Sequence, residues 1–291
     1  MYNKKYNMKF CAGITLFYPT KNELESILNY IQVFEKIYVY DNTDNIEKQK
    51  TNSTYFTNNN KFEYFSYCEN FGLSVALNKM CKNSIINSFD YICLFDQDSI
   101  INNTSLSNMI SYISSTKDSS VGIYTPEIIY SSQSEMVVYK NSLKIEGLKV
   151  KWAITSGSFL NLDIFKLTEG FDKNYFIDRL DYDYCVQLRD LGYKIIQIKN
   201  TFLFQQLGNE NRFMGFKISE HSALRHYYVF RNRLYFYLDK RFSFLNILIV
   251  IVLSIRHLFT IIIESDSISK FKILRQSIVD YSSGKMGKYG A

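Results

Sequence analysis

The sequence is short of proline, tryptophan, histidine and cysteine. Its 291 residues include two prolines, one tryptophan, three histidines and five cysteines. The cysteines are widely spaced and form no Cys-x-x-Cys pair, which excludes the common paired-thiolate metal motifs and predicts reduced, buried thiols in a cytosolic protein. The polar, basic N-terminus is not followed by the apolar core of a signal peptide, because Gly13 to Pro19 is typical of a short strand and a turn.

Hydrophobic residues make up 46% of the chain, which is enough for a core in one large domain or two small ones. The net charge is +6, and basic residues concentrate in residues 217–241 and 256–275 beside apolar stretches. An anionic membrane surface, a diphosphate or a nucleic acid would each suit such a face. The sequence contains no recognised nucleic-acid-binding motif, so we expect no nucleic acid partner.

Short apolar segments that are typical of strands alternate with segments of helical periodicity from Lys9 to Ile129. We predict strands at residues 9–17, 36–40, 62–67, 91–95 and 121–129, and helices at residues 22–31, 71–86 and 104–116. This alternation predicts an α/β fold with a single Rossmann-like, mainly parallel sheet flanked by helices. Ligands of such open sheets bind beyond the carboxyl ends of the strands.

Two carboxylates follow the fourth predicted strand, in the run Leu94-Phe95-Asp96-Gln97-Asp98-Ser99. Side chains alternate in direction along an extended segment, so Asp96 and Asp98 point the same way. Two carboxylates this close repel each other unless a cation lies between them, and Mg²⁺ or Mn²⁺ commonly bridges protein carboxylates to substrate phosphates. The run therefore predicts a metal–diphosphate site, although acidic pairs after strands also serve as plain turn formers.

Two further segments lie at predicted strand ends. Asp41 follows the second strand, where its carboxylate can accept a hydrogen bond from a base N–H or a ribose hydroxyl, or simply form an Asx turn. The segment Asn70–Asn78 begins a helix with Gly72, which allows the backbone to approach a ligand closely. Helix N-termini favour phosphate, and the alternative here is an ordinary helix cap.

Four acids concentrate near a predicted helix start in the segment Gly170–Cys185. Asp181 and Asp183 are two residues apart, so on a helix they diverge, and one can face a cleft while the other supports it. A carboxylate against an apolar wall has a raised pKa and can serve as a general base. The alternative is that first-turn acids only complement the helix dipole.

An aromatic-rich helix is predicted from His221 to Tyr237. Arg225 and Arg233 lie eight residues apart near one face of this helix, and Arg231 is displaced from them. Arginines in such positions can hold phosphates through bidentate hydrogen bonds. The alternative is a basic, amphipathic surface helix.

The C-terminal part is strongly apolar at Phe242–Ile263, but Arg256 and His257 interrupt it. The uninterrupted stretch is shorter than the roughly 20 residues of a membrane span. With its basic flanks the segment suits an amphipathic helix pair lying on a membrane, and a buried core or a dimer helix is the alternative. We therefore expect a main domain at residues 1–225 and a helical extension at residues 226–291.

Taken in order, these segments resemble family 2 glycosyltransferases of the GT-A type, in the bacterial rhamnosyltransferase-like branch. The matching segments span residues 9–235 and are Thr15–Pro19, Tyr38–Asn42, Asn70–Asn78, Leu94–Ser99, Thr155–Ser158, Gly170–Arg189 and Tyr227–Arg233. The Asp-Gln-Asp-Ser run and the Phe-Ile-Asp-x-x-Asp-x-Asp-x-Cys block are the specific ones, and the other segments are individually loose.

The resemblance implies a GT-A fold in residues 1–225 and an inverting transfer from a nucleotide-activated sugar. On the donor side it implies that Asp41 holds the nucleotide base and that Asp96 holds the ribose or the metal. It implies that Asp98 ligates Mg²⁺ or Mn²⁺ on the diphosphate. The donor-binding set then also includes the helix-start residues Asn70, Gly72 and Asn78.

On the acceptor side the resemblance implies that Asp181 is the general base, with Asp183 as its neighbour. Arg231 would neutralise the departing nucleoside diphosphate, together with Arg233. The remaining pair, Gly157 and Ser158, would line the sugar or acceptor pocket.

Two positions depart from the family's pattern. The first turn of the family usually reads Tyr-Asn-Pro, whereas Tyr18 stands in place of the Asn here. Relatives often carry a His before the Leu-Gly that follows the last sheet strand, whereas Gln205 and Gln206 precede Leu207 here. If that His ligates metal in relatives, its role is open in this chain, and His221 is a substitute with no spacing argument behind it.

We therefore expect an inverting, metal-dependent glycosyltransferase that moves rhamnose from dTDP-rhamnose onto a hydroxyl of a cell-surface polysaccharide or a lipid-linked glycan precursor. Peripheral membrane contact through the C-terminal helices would place it in the cytoplasm at the inner face of a bacterial cell membrane. The sequence leaves open whether the protein forms a homodimer. The alternatives are a catalytically inactive, membrane-associated glycan-binding or scaffold protein, and a sugar nucleotidyltransferase. The latter would need a Gly-rich phosphate loop after the first strand, which Tyr18–Asn22 does not supply.

Overall fold

The computed structural model describes residues 8–130, 144–205, 210–213, 216–219 and 222–290. The strands are β1 Phe10–Leu16, β2 Lys36–Asp41, β3 Phe62–Ser66, β4 Tyr91–Asp96, β5 Ile100–Ile101, β6 Val121–Tyr130, β7 Gly147–Val150, β8 Ser158–Asn161, β9 Lys194–Gln205, β10 Glu210–Phe213 and β11 Phe216–Ser219. The helices are α1 Lys21–Ile27, α2 Ile46–Ser53, α3 Leu73–Ile86, α4 Asn103–Thr116, α5 Leu162–Phe165, α6 Leu180–Asp190, α7 Ala223–Leu234, α8 Phe244–Ile263 and α9 Ser267–Ser282. A 3₁₀ turn, Leu28–Gln32, follows α1, and a π-helical segment, Tyr235–Lys240, follows α7.

One large sheet runs through the molecule in the order β3-β2-β1-β4-β8-β6-β9-β5, with β7 paired to β9. The first four strands of that order are parallel, so their carboxyl ends meet: Leu16 pairs with Asp41, and Thr15 pairs with Asp96. β8 runs antiparallel to both of its neighbours, β4 and β6. The α/β class and the mainly parallel sheet are therefore confirmed. Because β8 is antiparallel to both β4 and β6, β6 points the same way as β4, and β9 is parallel to β6, whereas β5, β7 and β8 run in the opposite direction.

β1, β2 and β4 are buried on both faces, which explains why they are largely apolar runs in the sequence. One core cluster lies between the sheet and the helices α1 and α4, and includes Leu24, Leu106 and Phe95. A second cluster lies on the other face against α3 and α6, and includes Leu77 and Tyr184. Helices on both faces leave the carboxyl ends of β1 and β4 as the place where polar side chains can gather.

α3 is tied to the segment that precedes α6 by backbone-directed hydrogen bonds. Leu73 N donates to Phe176 O at 2.7 Å, and Ser74 Oγ donates to Tyr175 O at 2.6 Å. Asn78 pairs with both backbone groups of Phe171, at 2.6 and 2.9 Å. These contacts join residues about a hundred positions apart in the chain, so they fix the start of α6 relative to α3 and to the strands β1, β2 and β4 against which α3 packs.

The C-terminal helices α7, α8 and α9 form a third apolar cluster that includes Phe230, Val250, Ile261 and Leu274. α8 continues for 20 residues through Arg256 and His257. These two residues interrupt the apolar run of the sequence, but they do not interrupt the helix. By length and composition alone it is the one helix among the described residues that qualifies as a membrane span. The expected boundary between residues 225 and 226 falls inside α7 and stays a prediction.

Of the five cysteines, four are buried and only Cys68 is exposed, and all are free. Burial raises the pKa of Cys11 to about 12. A thiol that cannot ionise near neutral pH is a poor nucleophile and a poor metal ligand, so the buried cysteines act as small apolar side chains.

Candidate active site

Two adjoining cavities open at the carboxyl ends of β1 and β4. The larger, of about 490 Å³, is called the acidic cavity because Asp96, Asp98, Asp178 and Asp181 line it. The smaller, of about 400 Å³, is called the aromatic cavity because its lining includes Phe17, Phe176 and Tyr228. The two cavities have four lining residues in common, namely Leu73, Asp96, Ile177 and Arg225. A ligand with two dissimilar parts could therefore bind across both.

Asp96 ends β4, and Asp98 lies in the turn that follows, in which Ser99 N donates to Asp96 O at 3.1 Å, so a turn and not an extended segment brings the two carboxylates together. Gln97 points away from them and accepts a hydrogen bond from Phe17 N at 2.7 Å. The backbone N–H of Asp96 donates to Ser99 Oγ at 3.0 Å, and that hydroxyl is hydrogen-bonded to Ser156 Oγ. The turn after β4 is thus fixed by neighbours on both sides, and the two carboxylates face the acidic cavity.

The acidic cavity places carboxylates close enough to disfavour one another's ionisation. Burial, followed by the charges of Asp98 and Asp181, raises the pKa of Asp96 to about 7, and Arg225 opposes that rise. Burial also raises the pKa of Asp98, although its side chain reaches solvent. A cation bound here would relieve this repulsion.

Among the described residues no group of three His, Cys, Asp or Glu side chains is arranged to hold a metal ion. Asp96 and Asp98 nevertheless fit a hard divalent cation, because Mg²⁺ is usually bound by one or two carboxylates together with substrate phosphates and water. The neighbouring negative charges that help to raise the pKa of Asp96 would be partly neutralised by such an ion.

Asp181 lies in the first turn of α6 and lines the same cavity as Asp96 and Asp98. The two residues that precede this helix, Asp178 and Arg179, both have left-handed backbone conformations, with φ of 64° and 70°. Such strain in consecutive non-glycine residues is uncommon and is typical of functional sites. Burial, then the nearby charge of Asp178, raises the pKa of Asp181 to about 6. A carboxylate with this pKa is a suitable proton acceptor near neutral pH.

Asp183 faces away from the cavity, as the divergence of residues two apart on a helix predicts for one member of the pair. Its side chain is fully buried, and its Oδ2 accepts hydrogen bonds from Lys240 Nζ and Gln187 Nε2, each at 2.9 Å. Lys240 also bonds Asp172 at 3.0 Å. Asp183 therefore anchors α6 to the π-helical segment after α7.

Of the three arginines predicted on α7, Arg225 reaches the cavities, and Arg231 and Arg233 do not. Arg225 lines both cavities and forms a two-pronged ion pair with Asp178 at 2.8 and 2.9 Å. Arg231 is fully buried and donates to Gly287 O at 2.8 Å, and Arg233 donates to Leu253 O at 3.0 Å. Outside α7, Arg179 also lines the acidic cavity, where its guanidinium lies 5.2 Å from the ring centre of Tyr182.

Four other predicted residues do not line either cavity. Asp41 is fully buried, where its carboxylate accepts hydrogen bonds from Thr43 N, Asn52 and Tyr64 at 2.5 to 2.8 Å. Asn78 is occupied by the backbone of Phe171. The others are Gly157, whose N–H donates to Leu94 O at 2.7 Å, and Ser158, whose hydroxyl donates to Ile154 O at 2.6 Å.

Two of the residues predicted to bind the donor, Asn70 and Gly72, do line the aromatic cavity. Ile154 and Thr155, which come shortly before Gly157 in the sequence, line the acidic cavity. Gln205, at the end of β9, also lines the acidic cavity. The expectations that concern residues 206–208 and His221 lie outside the described residues.

Gly72 is the N-cap of α3 and has φ 85° and ψ 170°, a conformation nearly exclusive to glycine. A Cβ at this position would lie 2.7 Å from the carbonyl oxygen of Phe176, which also accepts the hydrogen bond from Leu73. We expect Gly72→Ala to lower the free energy of unfolding by about 2–5 kcal/mol, as the sum of backbone strain and overpacking. Urea unfolding measures the change.

Gly192→Ala is the matched control, because Gly192 has φ 84° and no atom within 4 Å of an added Cβ. It should lose only the cost of a left-handed alanine, about 1–2 kcal/mol. Equal losses in the two variants would contradict the close approach between Gly72 and Phe176.

The chain is similar to known glycosyltransferases in sequence and in fold. Residues 16–158 match the model of the family described as Glycosyl transferase family 2. The dTDP-rhamnosyl transferase RfbF of Shigella flexneri is 24% identical over 234 residues, which cover 76% of this chain and 77% of that protein. The crystal structure of GalNAc-T7 with UDP, GalNAc and Mn²⁺ has a TM-score of 0.57 at 13% identity, covering 81% of this chain and 49% of that chain. This chain thus spans about half the length of that solved structure, and the likeness confirms the GT-A-like fold.

Proposed function

We propose that this chain, a glycosyltransferase whose residues 16–158 match the family 2 model, transfers rhamnose from dTDP-rhamnose to a hydroxyl of a cell-surface glycan precursor with inversion at the anomeric carbon. The observation that carries the proposal is the meeting of Asp96, Asp98 and Asp181 around one cavity. The donor nucleotide is inferred from the similarity to the Shigella dTDP-rhamnosyl transferase.

The two cavities divide the donor between them in this proposal. The aromatic cavity takes the nucleoside, because Phe17 and Tyr228 offer flat apolar surfaces to a base and Gly72 lets the backbone approach. The acidic cavity takes the sugar and the diphosphate. Asp41 supports this arrangement indirectly, since it holds Thr43, whose hydroxyl accepts a hydrogen bond from Tyr18 N at 2.9 Å.

The side chains of the acidic cavity match the charges that develop in the reaction. Breaking the bond between sugar and phosphate places negative charge on the departing diphosphate, and Arg225 lies at the junction of the cavities to pair with it. Asp96 and Asp98 would hold a divalent cation, Mg²⁺ or Mn²⁺, which neutralises part of the same charge. GalNAc-T7, which has a similar fold, was crystallised with Mn²⁺ and UDP, and this supports a divalent ion here.

Asp181 is the proposed general base. A carboxylate with a pKa of about 6 is largely ionised at neutral pH and accepts the proton of the attacking hydroxyl. Attack from the side opposite the leaving group inverts the anomeric configuration, by the same logic as a single-displacement glycosidase.

The test is release of nucleoside diphosphate from a panel of donors by the full chain. We expect turnover of dTDP-rhamnose with Mg²⁺ or Mn²⁺, little turnover of UDP-GalNAc or GDP-mannose, and loss of activity in EDTA. If the chain turns over another nucleotide sugar and not dTDP-rhamnose, the donor sugar is not rhamnose. Absence of both turnover and metal-dependent nucleotide binding by calorimetry would refute the proposal.

We also propose that α8 contacts the inner surface of the cell membrane, where a lipid-linked acceptor would be found. Its exposed side is a continuous apolar stripe that includes Phe244, Leu248, Ile255, Phe259 and Ile262. Flotation of the full chain with vesicles that contain anionic lipid tests this, and a stable dimer that does not float would favour the dimer helix instead.

A further inference from the structure

Two exposed aromatic side chains lie side by side at the rim of the acidic cavity. Trp152 and Tyr182 have ring centres 5.1 Å apart and an interplanar angle of 44°. They remain 43% and 41% exposed, so both rings present open surface beside the cavity. Tyr182 lines the acidic cavity itself. We call this pair the aromatic platform.

The platform is held rigidly by α6. On one side of Trp152, Arg189 donates to the carbonyl of Lys151 at 3.3 Å, and on the other, the backbone N–H of Ala153 donates to Cys185 Sγ at 3.4 Å. The guanidinium of Arg189 lies 4.1 Å from the ring centre of Trp152. These contacts fix the backbone around Trp152 and orient its ring before any ligand arrives.

The platform lies on the base side of the site, not on the nucleoside side. Tyr182 directly follows Asp181 in α6 and donates its backbone N–H to that carboxylate at 2.8 Å. Two residues after Trp152, the chain reaches Ile154 and then Thr155, which line the acidic cavity. The aromatic cavity has neither Trp152 nor Tyr182 in its lining.

We infer that the aromatic platform is the subsite that binds the acceptor, by stacking a pyranose ring of the glycan on Trp152 and Tyr182. This inference rests on the proposed function, because it assumes that Asp181 faces the acceptor hydroxyl. The C–H groups on one face of a pyranose are weakly positive and apolar, and they match the negative faces of aromatic rings. A sugar stacked here would be held next to the proton acceptor and would leave the aromatic cavity free for the nucleoside.

Stacking of this kind sets affinity for the acceptor and should not change the donor reaction. Truncation of one ring of the platform should weaken acceptor binding about tenfold, the usual scale for an aromatic contact of 1–1.5 kcal/mol. Donor hydrolysis without acceptor should be unchanged in Trp152→Ala, since Trp152 lines neither the acidic nor the aromatic cavity.

The composition supplies a direct probe, because Trp152 is the only tryptophan in the sequence. Intrinsic fluorescence of the full chain should change saturably when methyl α-L-rhamnoside, methyl β-D-glucoside, methyl α-D-mannoside or methyl N-acetyl-β-D-glucosaminide is added in turn. In Tyr182→Ala the same titration should give a dissociation constant about tenfold higher. Phe242→Ala removes an aromatic ring that is 64% exposed outside both cavities, and it should titrate like the wild type.

Transfer kinetics provide the second readout. Trp152→Ala should raise KM for the acceptor about tenfold with KM for the donor unchanged, and Trp152→Phe should recover most of the loss. No saturable change with any saccharide, or equal dissociation constants in wild type and Tyr182→Ala, overturns the inference. A fluorescence response to dTDP alone that Tyr182→Ala abolishes would also overturn it, by assigning the platform to the base.

The inference and the proposed function fail separately. If the wild type hydrolyses dTDP-rhamnose but no saccharide perturbs Trp152, the platform is refuted and the donor reaction stands. If saccharides bind to the platform but no nucleotide sugar is turned over, the donor assignment is refuted and the binding subsite remains.

Discussion

Asp181→Asn is expected to lower kcat for transfer by about 10²–10⁴, the usual contribution of a general base. The change keeps the size of the side chain and removes only its ability to take a proton. KM for the donor should remain within a few-fold of the wild type, because the partner proposed for Asp181 is the acceptor hydroxyl and because the nucleoside lies in the aromatic cavity, which Asp181 does not line. Steady-state kinetics with separate variation of donor and acceptor measures both quantities.

The pH profile of the wild type gives an independent check on Asp181. Because burial raises its pKa to about 6, the carboxylate becomes protonated as the pH falls through that value, and kcat/KM should fall with it. Because the pKa of Asp181 is higher in the folded than in the unfolded protein, its ionisation at neutral pH lowers the stability of the folded state. Removing the charge in Asp181→Asn should therefore leave the thermal midpoint unchanged or raised.

Asp183→Asn is the matched control for this prediction. Asp183 is buried against Lys240 and faces away from the cavity, so its loss should reduce stability while kcat of the folded enzyme stays within a few-fold. If instead Asp183→Asn abolishes turnover and Asp181→Asn does not, the roles assigned to the two carboxylates are reversed.

Asp98→Ala is expected to reduce turnover of the donor by about 10²–10³, because part of the electrostatic stabilisation of the departing diphosphate is lost. The concentration of Mg²⁺ or Mn²⁺ needed for half-maximal activity should rise, and EDTA should remove the activity of the wild type. Because the side chain of Asp98 is exposed, its removal should not unfold the protein. Metal titrations of donor hydrolysis measure the effect.

Asp163→Ala serves as the control for Asp98. Asp163 is an exposed carboxylate in the first turn of α5, and its side chain forms a surface pair with Lys166 at 2.7 Å. Its removal should leave the metal dependence unchanged, because it lines neither cavity. A metal requirement in Asp98→Ala that equals that of the wild type would exclude Asp98 as a ligand.

The position of the acidic pair was predictable because it depends on local geometry. Asp96 ends a buried strand whose carboxyl end lies beside that of β1, and Asp98 follows in the turn after it, not in the extended segment that the prediction assumed. The divergence of Asp181 and Asp183 follows from the helical repeat. Sequence alone did not tell which of that pair faces the cavity, since Lys240, the partner of Asp183, is 57 residues away.

The choice among the arginines of α7 was wrong for a different reason. This helix carries basic residues on several faces, and tertiary packing decides which face is buried. Arg231 lies against the C-terminal segment at Gly287, whereas Arg225, in the first turn, is left at the junction of the cavities. Its nearness to the Ser222 cap of the helix was the only local signal.

The second half of the sheet was also beyond local reasoning. A four-residue strand such as β8 has no pattern that reveals its direction, and its place between β4 and β6 is set by long-range pairing. The family resemblance placed Gly157 and Ser158 in the pocket, whereas in the structure Gly157 precedes β8, Ser158 begins it, and the two bond to Leu94 and Ile154.

The insertion of β8 between β4 and β6 bears on how the molecule can be divided. The stretch that matches the family model ends at residue 158, where β8 begins, so a protein truncated there would lose the strand that joins β4 to β6. It would also lose the partners of Leu73, Ser74 and Asn78, and with them the support of α3. We therefore expect that residues 1–158 do not fold on their own. Fragments that end near residue 158 should be insoluble as well as inactive.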